Sequence, residues 1–307
     1  MKLITGSKGF LGSAIKRSLE DKTEETIFFT RKDFDLANGY EAPTVEGVDT
    51  IIHCADYYPG LQHTFEHPRE VYEKNVRIFN NLFNLARKNR IKKVITIGTT
   101  GCYPITDELL REDMLATENP ERTNSKLIGY TLSRFTLLDI ARLNHAEFGI
   151  EHNHLILPNL YGPGDRFEIG KSHLLSSWIR DFTAAKERGD KIIQLWGSPN
   201  AQREFMYIDD SANFVLALSG QKLHREIINV GNSLVPTYEQ LARKTLEAID
   251  YDSLDRLEWD ISKKNTRMRE AMDLRELNKY AHILPLTTEF SEGVRRSVED
   301  YRQRRNK

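Results

Sequence analysis

The first half of the chain alternates between short apolar runs and longer segments with helical periodicity. The apolar runs predict β-strands at residues 2–5, 26–30, 49–55, 93–98 and 152–158. Apolar side chains recur at intervals of three and four residues, as on one face of a helix, over residues 13–20, 70–88 and 127–148. Strands that alternate with helices favour a parallel sheet covered on both faces, so the pattern predicts a doubly wound α/β protein.

After residue 158 the pattern is less regular, although strands and helices still alternate. Helices are predicted over residues 174–186, 207–218 and 237–249, and strands over 192–197 and 227–231. We expect a nucleotide-binding domain at residues 1–160, with returning segments near 205–232. A smaller C-terminal lobe, mainly residues 161–307, is expected to bind the substrate.

Composition narrows the possible partners and the cellular location. The 307 residues include 44 basic and 45 acidic side chains, a formal net charge of −1, which gives no reason to expect a nucleic-acid or anionic-membrane partner. No charged leader or long apolar run precedes the first predicted strand, and the two cysteines, Cys54 and Cys102, are too few for a disulfide framework. We therefore expect a cytoplasmic protein.

A glycine-rich segment, TGSKGFLG, joins the first predicted strand to the first helix. Gly6, Gly9 and Gly12 stand where a tight turn, a close approach to a pyrophosphate and close helix packing require residues without side chains. The N-terminus of the following helix attracts a phosphate group. The segment predicts a Rossmann-type dinucleotide site, and its expected contacts include the other loop residues: Lys8, Phe10 and Leu11.

The end of the second predicted strand, FFTRKDFDL, indicates which dinucleotide binds. Thr30 lies near the position where an acidic residue usually accepts hydrogen bonds from the adenosine ribose, and Arg31 and Lys32 follow it. Basic side chains there favour a 2′-phosphate, so NADP(H) is predicted over NAD(H). In the alternative, both basic residues are solvated loop charges and Asp33 binds the ribose. Two more residues are then placed to flank the adenine: Asp35 and Leu36.

Tyr130 and Arg134, in GYTLSRF, are four residues apart and therefore share one face of a predicted helix. A tyrosine that exchanges protons with a substrate needs a nearby cation to make its phenolate accessible. Arginine supplies the charge but cannot be deprotonated, so it cannot relay a proton as lysine can. The spacing indicates a catalytic pair in modified form, or else one ordinary amphipathic helix.

Several motifs together resemble the extended short-chain dehydrogenase/reductases: TGSKGFLG, GTTGCYP, GYTLSRF, PNLYGPGDRF, SHLLSSWIRDF, WGSPNAQREFMYIDD and NVGN. Within that family the chain is most similar to the GDP-fucose synthetases, which are NADPH-dependent epimerase/reductases. The resemblance implies a nucleotide-sugar substrate, with Thr99 holding its carbonyl oxygen and Tyr130 exchanging a proton with that oxygen. It places Arg134 where the family has lysine, and it implies a homodimer formed through residues 70–88 and 127–148.

The resemblance also concerns epimerisation, which in GDP-fucose synthetases uses a cysteine and a histidine as acid and base. His173 matches the histidine, but Gly101 occupies the cysteine position and Cys102 is displaced by one residue. Simple reduction of a C4 ketone is therefore favoured over combined epimerisation and reduction. Alternatively, Gly101 widens a pocket and His173 is a structural residue at a helix N-terminus or in the core.

Further ligand contacts are implied by the resemblance alone: Asn75 near the nicotinamide, and Asn159, Trp196 and Arg203 at the substrate. An arginine and an indole suit a diphosphate and a stacked ring, although each residue by itself is more often structural. Asn75 could equally cross-link helices.

Two further segments contain pairs of closely spaced histidines. The segment HTFEH, residues 63–67, formally matches a zinc-peptidase pattern, but Pro68 follows it at once and no clear third ligand is present, so no metal site is predicted. His152 and His154 alternate along a predicted strand and therefore share one face of it.

Three hypotheses follow for function. The first is NADP(H)-dependent reduction of a nucleotide-activated 4-keto sugar; the resemblance implies a GDP-4-keto-6-deoxy sugar, while the residues themselves specify neither the nucleotide nor the sugar. The second is a nucleotide-sugar epimerase or dehydrogenase that retains its cofactor. The third is a dinucleotide-binding protein with weakened catalysis, which Arg134 favours and the intact Thr99 and Tyr130 oppose.

Overall fold

A computed structural model describes residues 1–20, 25–39, 41–115, 127–251, 257–262 and 267–306. Within these ranges the α-helices are α1 (Phe10–Leu19), α2 (Leu61–Glu66), α3 (Pro68–Lys88), α4 (Ile128–Phe148), α5 (Leu174–Arg188), α6 (Ile208–Ser219), α7 (Tyr238–Ala248), α8 (Arg275–Asn278) and α9 (Phe290–Arg305). The strands are β1 (Lys2–Thr5), β2 (Thr26–Phe29), β3 (Thr50–His53), β4 (Lys93–Thr99), β5 (Glu151–Leu157), β6 (Asn159–Tyr161), β7 (Ile193–Trp196), β8 (Gln202–Arg203), β9 (Phe205–Tyr207), β10 (Ile227–Asn229), β11 (Leu257–Asp260) and β12 (Arg269–Glu270).

Six strands form a parallel sheet in the order β2-β1-β3-β4-β5-β10, which confirms the predicted α/β, Rossmann-like fold. The chain leaves β1 for β2 on one side and returns to β3 on the other, so the winding direction reverses between β1 and β3. A crevice opens at the carboxyl ends of the strands at such a point, and ligands of open α/β sheets bind there.

Alternation along the central strands explains how the sheet is covered on both faces. Leu3 and Ile51 point to one side and pack with the core residues of α3 and α4. Their neighbours Ile4 and Ile52 point to the other side and pack with those of α1 and α6. Buried parallel strands need apolar residues at successive positions, which is why the sequence shows continuous apolar runs instead of strict alternation.

Two histidines predicted to share a face of β5 do so beneath the helices. The Thr96 hydroxyl on β4 lies 2.9 Å from Nε2 of His152 and 2.7 Å from Nδ1 of His154. A side chain on Gly98 would place its Cβ 2.4 Å from Nε2 of His154, so the imidazole occupies space that glycine leaves open. These histidines therefore serve the packing of the sheet.

The segments after β5 divide between the large sheet and a second hydrophobic core. Strand β10 completes the sheet beside β5, and α6 packs on α1. Helices α5, α7 and α9 pack with the parallel pair β7 and β11 around a separate cluster that includes Trp178, Leu241 and Val298. No helix in the described part of the chain is long and apolar enough to cross a membrane.

Candidate active site

The glycine loop has a backbone shape that other residues would obstruct. Gly6 has φ of +70°, and a Cβ there would lie 2.6 Å from the backbone of Cys54. A Cβ on Gly12 would lie 2.2 Å from the carbonyl oxygen of Gly6. Gly9, the residue before α1, provides no side-chain cap, which leaves the first N–H groups of the helix to an external acceptor. This cradle fits the pyrophosphate of a dinucleotide.

The turn after β2 exposes basic side chains, and its nearest carboxylate, that of Asp33, is hydrogen-bonded within the turn. Oδ2 of Asp33 accepts hydrogen bonds from the backbone N–H and the hydroxyl of Thr30, at 2.7 and 2.8 Å. These bonds lower the pKa of Asp33. Arg31, Lys32 and Lys8 are exposed beside this turn and the glycine loop.

The next two predicted cofactor contacts differ in accessibility. Asp35 accepts hydrogen bonds from the Ala37 N–H and the Asn38 amide, both at 3.0 Å. Leu36 is buried in the core beside α3. Leu11 is buried as well, whereas the Phe10 ring is half-buried and stacks on the ring of His173 with 6.2 Å between centroids.

The helix pair predicted by sequence is accompanied by a third residue, Asp56. The Tyr130 hydroxyl donates to Oδ2 of Asp56 at 3.2 Å, and Nη2 of Arg134 lies 2.5 Å from the same oxygen. The guanidinium carbon of Arg134 lies 4.3 Å from the centroid of the Tyr130 ring and 4.9 Å from that of Phe79. Cation, phenol and carboxylate are therefore in mutual contact.

Burial dominates the proton chemistry of this cluster. Tyr130 is 8% exposed, and its burial raises the pKa of the phenol, an effect that Arg134 opposes and Asp56 reinforces. Burial lowers the pKa of Arg134, but Asp56, Tyr130 and Cys102 together outweigh this effect, so the pKa lies above its ordinary value. Nε and Nη1 of Arg134 have no hydrogen-bond partner among the described residues, and these buried donors fit the ribose hydroxyls of a dinucleotide.

Thr99 ends β4 at the carboxyl edge of the sheet, where a short 3₁₀ turn follows. Its hydroxyl accepts a hydrogen bond from the Gly101 N–H at 3.4 Å. A Cβ on Gly101 would lie 3.5 Å from Leu127, the residue before α4, and 3.7 Å from the Thr99 methyl group, which are ordinary contacts. Cys102 is 2% exposed, and burial raises its pKa to about 11.

His173 stands at the start of α5 and is oriented by a buried carboxylate. Its Nδ1 lies 2.8 Å from Oδ1 of Asp165, which is 1% exposed and also accepts a hydrogen bond from Ser176. Partial burial lowers the pKa of His173, but the hydrogen bond and charge of Asp165 outweigh it and raise the pKa. The His173 side chain is 54% exposed, so its other nitrogen can meet a ligand.

Asn75 fixes the loop that carries Asp56. The fully buried side chain accepts from the N–H of Tyr57 and donates to its carbonyl oxygen, both at 3.0 Å. It also donates to Val71 on its own helix. These bonds give Asn75 the structural role of joining α3 to the loop after β3.

The predicted substrate residues Asn159 and Arg203 meet at a carboxylate, Glu270. Oε1 of Glu270 accepts from Asn159 at 3.2 Å and from the hydroxyl of Thr100 at 2.8 Å. Its Oε2 lies 3.8 Å from Nε of Arg203 and 3.7 Å from Nε of Arg267. Nη1 of the buried Arg267 has no hydrogen-bond partner among the described residues, so one donor in this cluster is left unsatisfied.

Trp196 is not part of that cluster. It lies on β7, opposite Asp260 of β11, and is 73% exposed. The histidines of HTFEH pair with each other and with a carboxylate: the His63 and His67 ring centroids are 4.4 Å apart, and Nε2 of His63 lies 3.2 Å from Glu70. The described residues contain no group of three or more His, Cys, Asp or Glu side chains placed to hold a metal ion.

Sequence reasoning missed three carboxylates that organise these groups: Asp56, Asp165 and Glu270. A usable signal existed for Asp56, because it directly follows the strand predicted at residues 49–55, and a charged residue there lies at the ligand edge of a parallel sheet. Asp165 lies within the motif YGPGDRF, where the resemblance drew attention to the motif but not to its carboxylate. Glu270 carried no local signal.

Comparisons with known proteins show the family and the fold of the chain. The family model described as NAD dependent epimerase/dehydratase family matches residues 2–231. GDP-L-colitose synthase of Yersinia pseudotuberculosis is 31% identical over 69% of this chain and 70% of its own length, and GDP-L-fucose synthase of Escherichia coli K12 is 25% identical over 90% and 89%. A GDP-L-fucose synthetase from Naegleria fowleri, crystallised with NADP, superposes with a TM-score of 0.86 at 20% identity, over 99% of this chain and 93% of its own. The chain belongs to the NAD dependent epimerase/dehydratase family.

Proposed function

We propose that this protein is an NADP(H)-dependent reductase of a nucleotide-activated 4-keto sugar, of the GDP-4-keto-6-deoxy class. The observation that carries the proposal is the contact of Tyr130 with Arg134 and Asp56 in a chain whose glycine loop fits a dinucleotide. Support for the substrate class comes from the GDP-sugar synthases among its relatives.

NADP(H) is proposed over NAD(H) because of the charges around the glycine loop. Lys8, Arg31 and Lys32 are exposed there, ready to meet a 2′-phosphate. Asp33, the carboxylate that would favour the unphosphorylated ribose, is already bonded to Thr30. The NADP bound to the Naegleria synthetase supports the same choice.

In the proposed reaction the bound cofactor supplies a hydride to the carbonyl carbon. The hydroxyls of Thr99 and Tyr130 hold the carbonyl oxygen, and Tyr130 gives it a proton as negative charge develops. Arg134 stabilises the resulting phenolate through its fixed positive charge. The hydrogen bond to Asp165 orients His173 as a single acid or base. Because Gly101 has no side chain that could act as the second, we propose reduction without epimerisation.

Three further predictions, on the substrate lobe, the cellular location and the dimer, belong to the proposal and have no structural test. The substrate lobe at residues 161–307, with Asn159, Arg203 and Trp196 as contacts, is proposed from the resemblance. The two cysteines are free thiols, as expected in a reducing compartment. The cytoplasmic location stays a prediction. A homodimer through α3 and α4 is also proposed, because Leu143 and Phe148 on α4 are 68% and 50% exposed. Light scattering after gel filtration, with Leu143→Glu beside the native chain, tests the dimer.

A second candidate function is that of a dinucleotide-binding protein with weak turnover. The observation in its favour is that burial raises the pKa of Tyr130 while Asp56 neutralises part of the Arg134 charge. Both effects make the phenolate harder to form.

Incubation with GDP-4-keto-6-deoxymannose and NADPH distinguishes these functions. We expect loss of the reduced-nicotinamide absorbance and a product whose other ring carbons keep their configuration, as determined by NMR. Tyr130→Phe is expected to lower kcat by about 10²–10⁴-fold without loss of NADPH binding. If native protein and Arg134→Lys bind NADPH but reduce none of a panel of nucleotide keto sugars, the reductase proposal is wrong and the weak-turnover function stands.

A further inference from the structure

Asp56 holds a position between the catalytic pair and the protein surface. Its Oδ2 accepts from the Tyr130 hydroxyl at 3.2 Å and pairs with Nη2 of Arg134 at 2.5 Å. The Asp56 side chain is 26% exposed, whereas Tyr130 and Arg134 are 8% and 2% exposed. The Asp56 side chain therefore contacts the buried phenol and is also partly exposed to solvent.

The proposed reaction leaves a proton to be replaced. Once Tyr130 has protonated the substrate oxygen, its phenolate must regain a proton from solvent before the next turnover. A lysine at position 134 could pass that proton on, but arginine stays charged at all accessible pH values. Arginine in place of lysine thus keeps a positive charge beside Tyr130 but removes a group that could relay a proton to it.

The other titratable neighbours are poor substitutes. Burial lowers the pKa of His53 to about 4, and its Nδ1 is already bonded to the Thr5 hydroxyl. Burial raises the pKa of Cys102 to about 11, and it raises the pKa of Cys54 and of Tyr58, whose ring meets that of Tyr130 edge-on. Within the described residues none of these groups forms a hydrogen bond with the Tyr130 hydroxyl, whereas Asp56 does.

We propose that Asp56 is a catalytic residue that relays protons between solvent and the Tyr130 oxygen, in place of the missing lysine. This inference rests on the proposed reductase function. In the reducing direction the Tyr130 O–H bond breaks as the substrate gains its O–H bond. The Asp56 carboxylate then takes up a proton from a solvent acid and passes it to the phenolate, which returns both groups to their starting states, so each turnover consumes one solvent proton. The ion pair with Arg134 keeps the carboxylate turned toward the hydroxyl.

A double-mutant cycle with Asp56→Asn and Arg134→Lys tests the relay. Asp56→Asn retains the size of the side chain but cannot carry a proton, so kcat is expected to fall about tenfold or more while NADPH affinity is unchanged. Arg134→Lys restores a relay at the neighbouring position, and the double variant is expected to recover most of the loss. Asp49→Asn, which alters a carboxylate just before β3 at the opposite end of that strand, serves as the control and should leave kcat unchanged.

Two outcomes of the cycle would overturn the proposal. One is native turnover by Asp56→Asn. The other is a loss of the same size in the native and Arg134→Lys backgrounds, which would indicate a positioning role without proton transfer. Thermal unfolding of each variant identifies a loss caused by misfolding, and for any such variant Asp56→Ser replaces Asn in the cycle.

A second readout separates this inference from the proposed function, since it needs no substrate. With ¹³C-labelled tyrosine, NMR detects exchange of the Tyr130 hydroxyl proton with water through the deuterium isotope shift of Cζ, and Tyr130→Phe assigns the signal. The relay predicts slower exchange in Asp56→Asn and unchanged exchange in Asp49→Asn. Slower exchange in a protein that reduces no keto sugar would support the relay and refute the reductase proposal. Unchanged exchange would overturn the relay, whatever the enzyme reduces.

Discussion

The pKa values of single side chains in this site depend on two opposing effects, burial and the charges of neighbouring groups. Burial raises the pKa of Tyr130, and the charge of Arg134 lowers it. Asp56, which accepts a hydrogen bond from Tyr130 and forms an ion pair with Arg134, raises it again. The spacing of Tyr130 and Arg134 was readable from sequence because both lie on one helix. The effect of Asp56 was not, because it reaches them from another segment.

A cysteine at position 101 is expected to add proton exchange to the proposed reduction. The Cβ of Gly101→Cys would make only ordinary contacts of 3.5 Å or more, beside Thr99. We expect the variant to fold normally and to exchange deuterium from solvent into the carbons next to the substrate ketone, detected by NMR of the product. Cys102→Ser in the same background is the control, since Cys102 is buried. Product from Gly101→Cys without deuterium would show that the thiol cannot reach those carbons.

Buried neutral histidines are expected to make the fold sensitive to acid. An unfolded histidine takes up a proton near pH 6.5, whereas the pKa of His53 in the fold is about 4 because of burial. Between these values the unfolded state binds more protons, so the free energy of unfolding falls as the pH falls, by up to about 3 kcal/mol from His53.

Urea unfolding of the native chain and His53→Gln across that pH window measures this effect. The variant should lose part of the pH dependence, while His152 and His154, whose pKa values are also lowered by burial, retain the rest. Equal slopes for the two proteins would contradict the assignment to His53.

At the scale of elements, the site depends on where strands end and helices begin. β1 ends at the glycine loop, where Gly6 leaves no room for a side chain. Gly12, in the first turn of α1, is restricted in the same way, and the helix begins without a side-chain cap. Sequence predicted this unit because its glycine spacing and its apolar runs are local features. Helix α3 begins at Pro68, two residues earlier than its apolar periodicity indicated, since proline suits the first turn of a helix.

Gly12→Ala is expected to abolish tight NADPH binding. The added methyl group would lie 2.2 Å from the Gly6 carbonyl oxygen and must displace the loop or the helix. Titration of NADPH fluorescence measures the loss, which we expect to exceed tenfold in Kd, about 1.4 kcal/mol. Gly220→Ala is the matched control, because its Cβ would meet nothing closer than 3.8 Å. Native affinity in Gly12→Ala would refute the role assigned to this loop.

At the scale of the whole molecule, segments far apart in sequence converge at the carboxyl edge of the sheet. Glu270 joins Thr100, the neighbour of Thr99, to Arg203 and Arg267. The carboxylate partly neutralises two guanidinium groups that would otherwise attract a diphosphate. Burial lowers the pKa of Arg267, and Glu270 opposes that effect.

Glu270→Gln is expected to bind GDP more tightly than the native chain. Removing the negative charge frees Arg203 and Arg267 for phosphate oxygens, and the gain should shrink as salt is added. Calorimetric titration at low and high ionic strength provides the measurement. Breaking this partly buried ion pair should also lower the unfolding temperature. Weaker GDP binding in a folded variant would mean that Glu270 itself positions the nucleotide.

The sequence by itself determined the six strands of the central sheet, the helices α1, α3, α4 and α6, the glycine loop and the spacing of Tyr130 and Arg134. Each depends on periodicity or turn chemistry within a few residues. Tertiary structure decided the partners. Asp56 is 74 residues from Tyr130 and Glu270 is 170 from Thr100, and only the packing of the sheet and its helices brings them together. Burial, which shifts the pKa of Tyr130 and His53, is likewise a property of the assembled core, where water is excluded from side chains that the sequence alone leaves equally free to ionise.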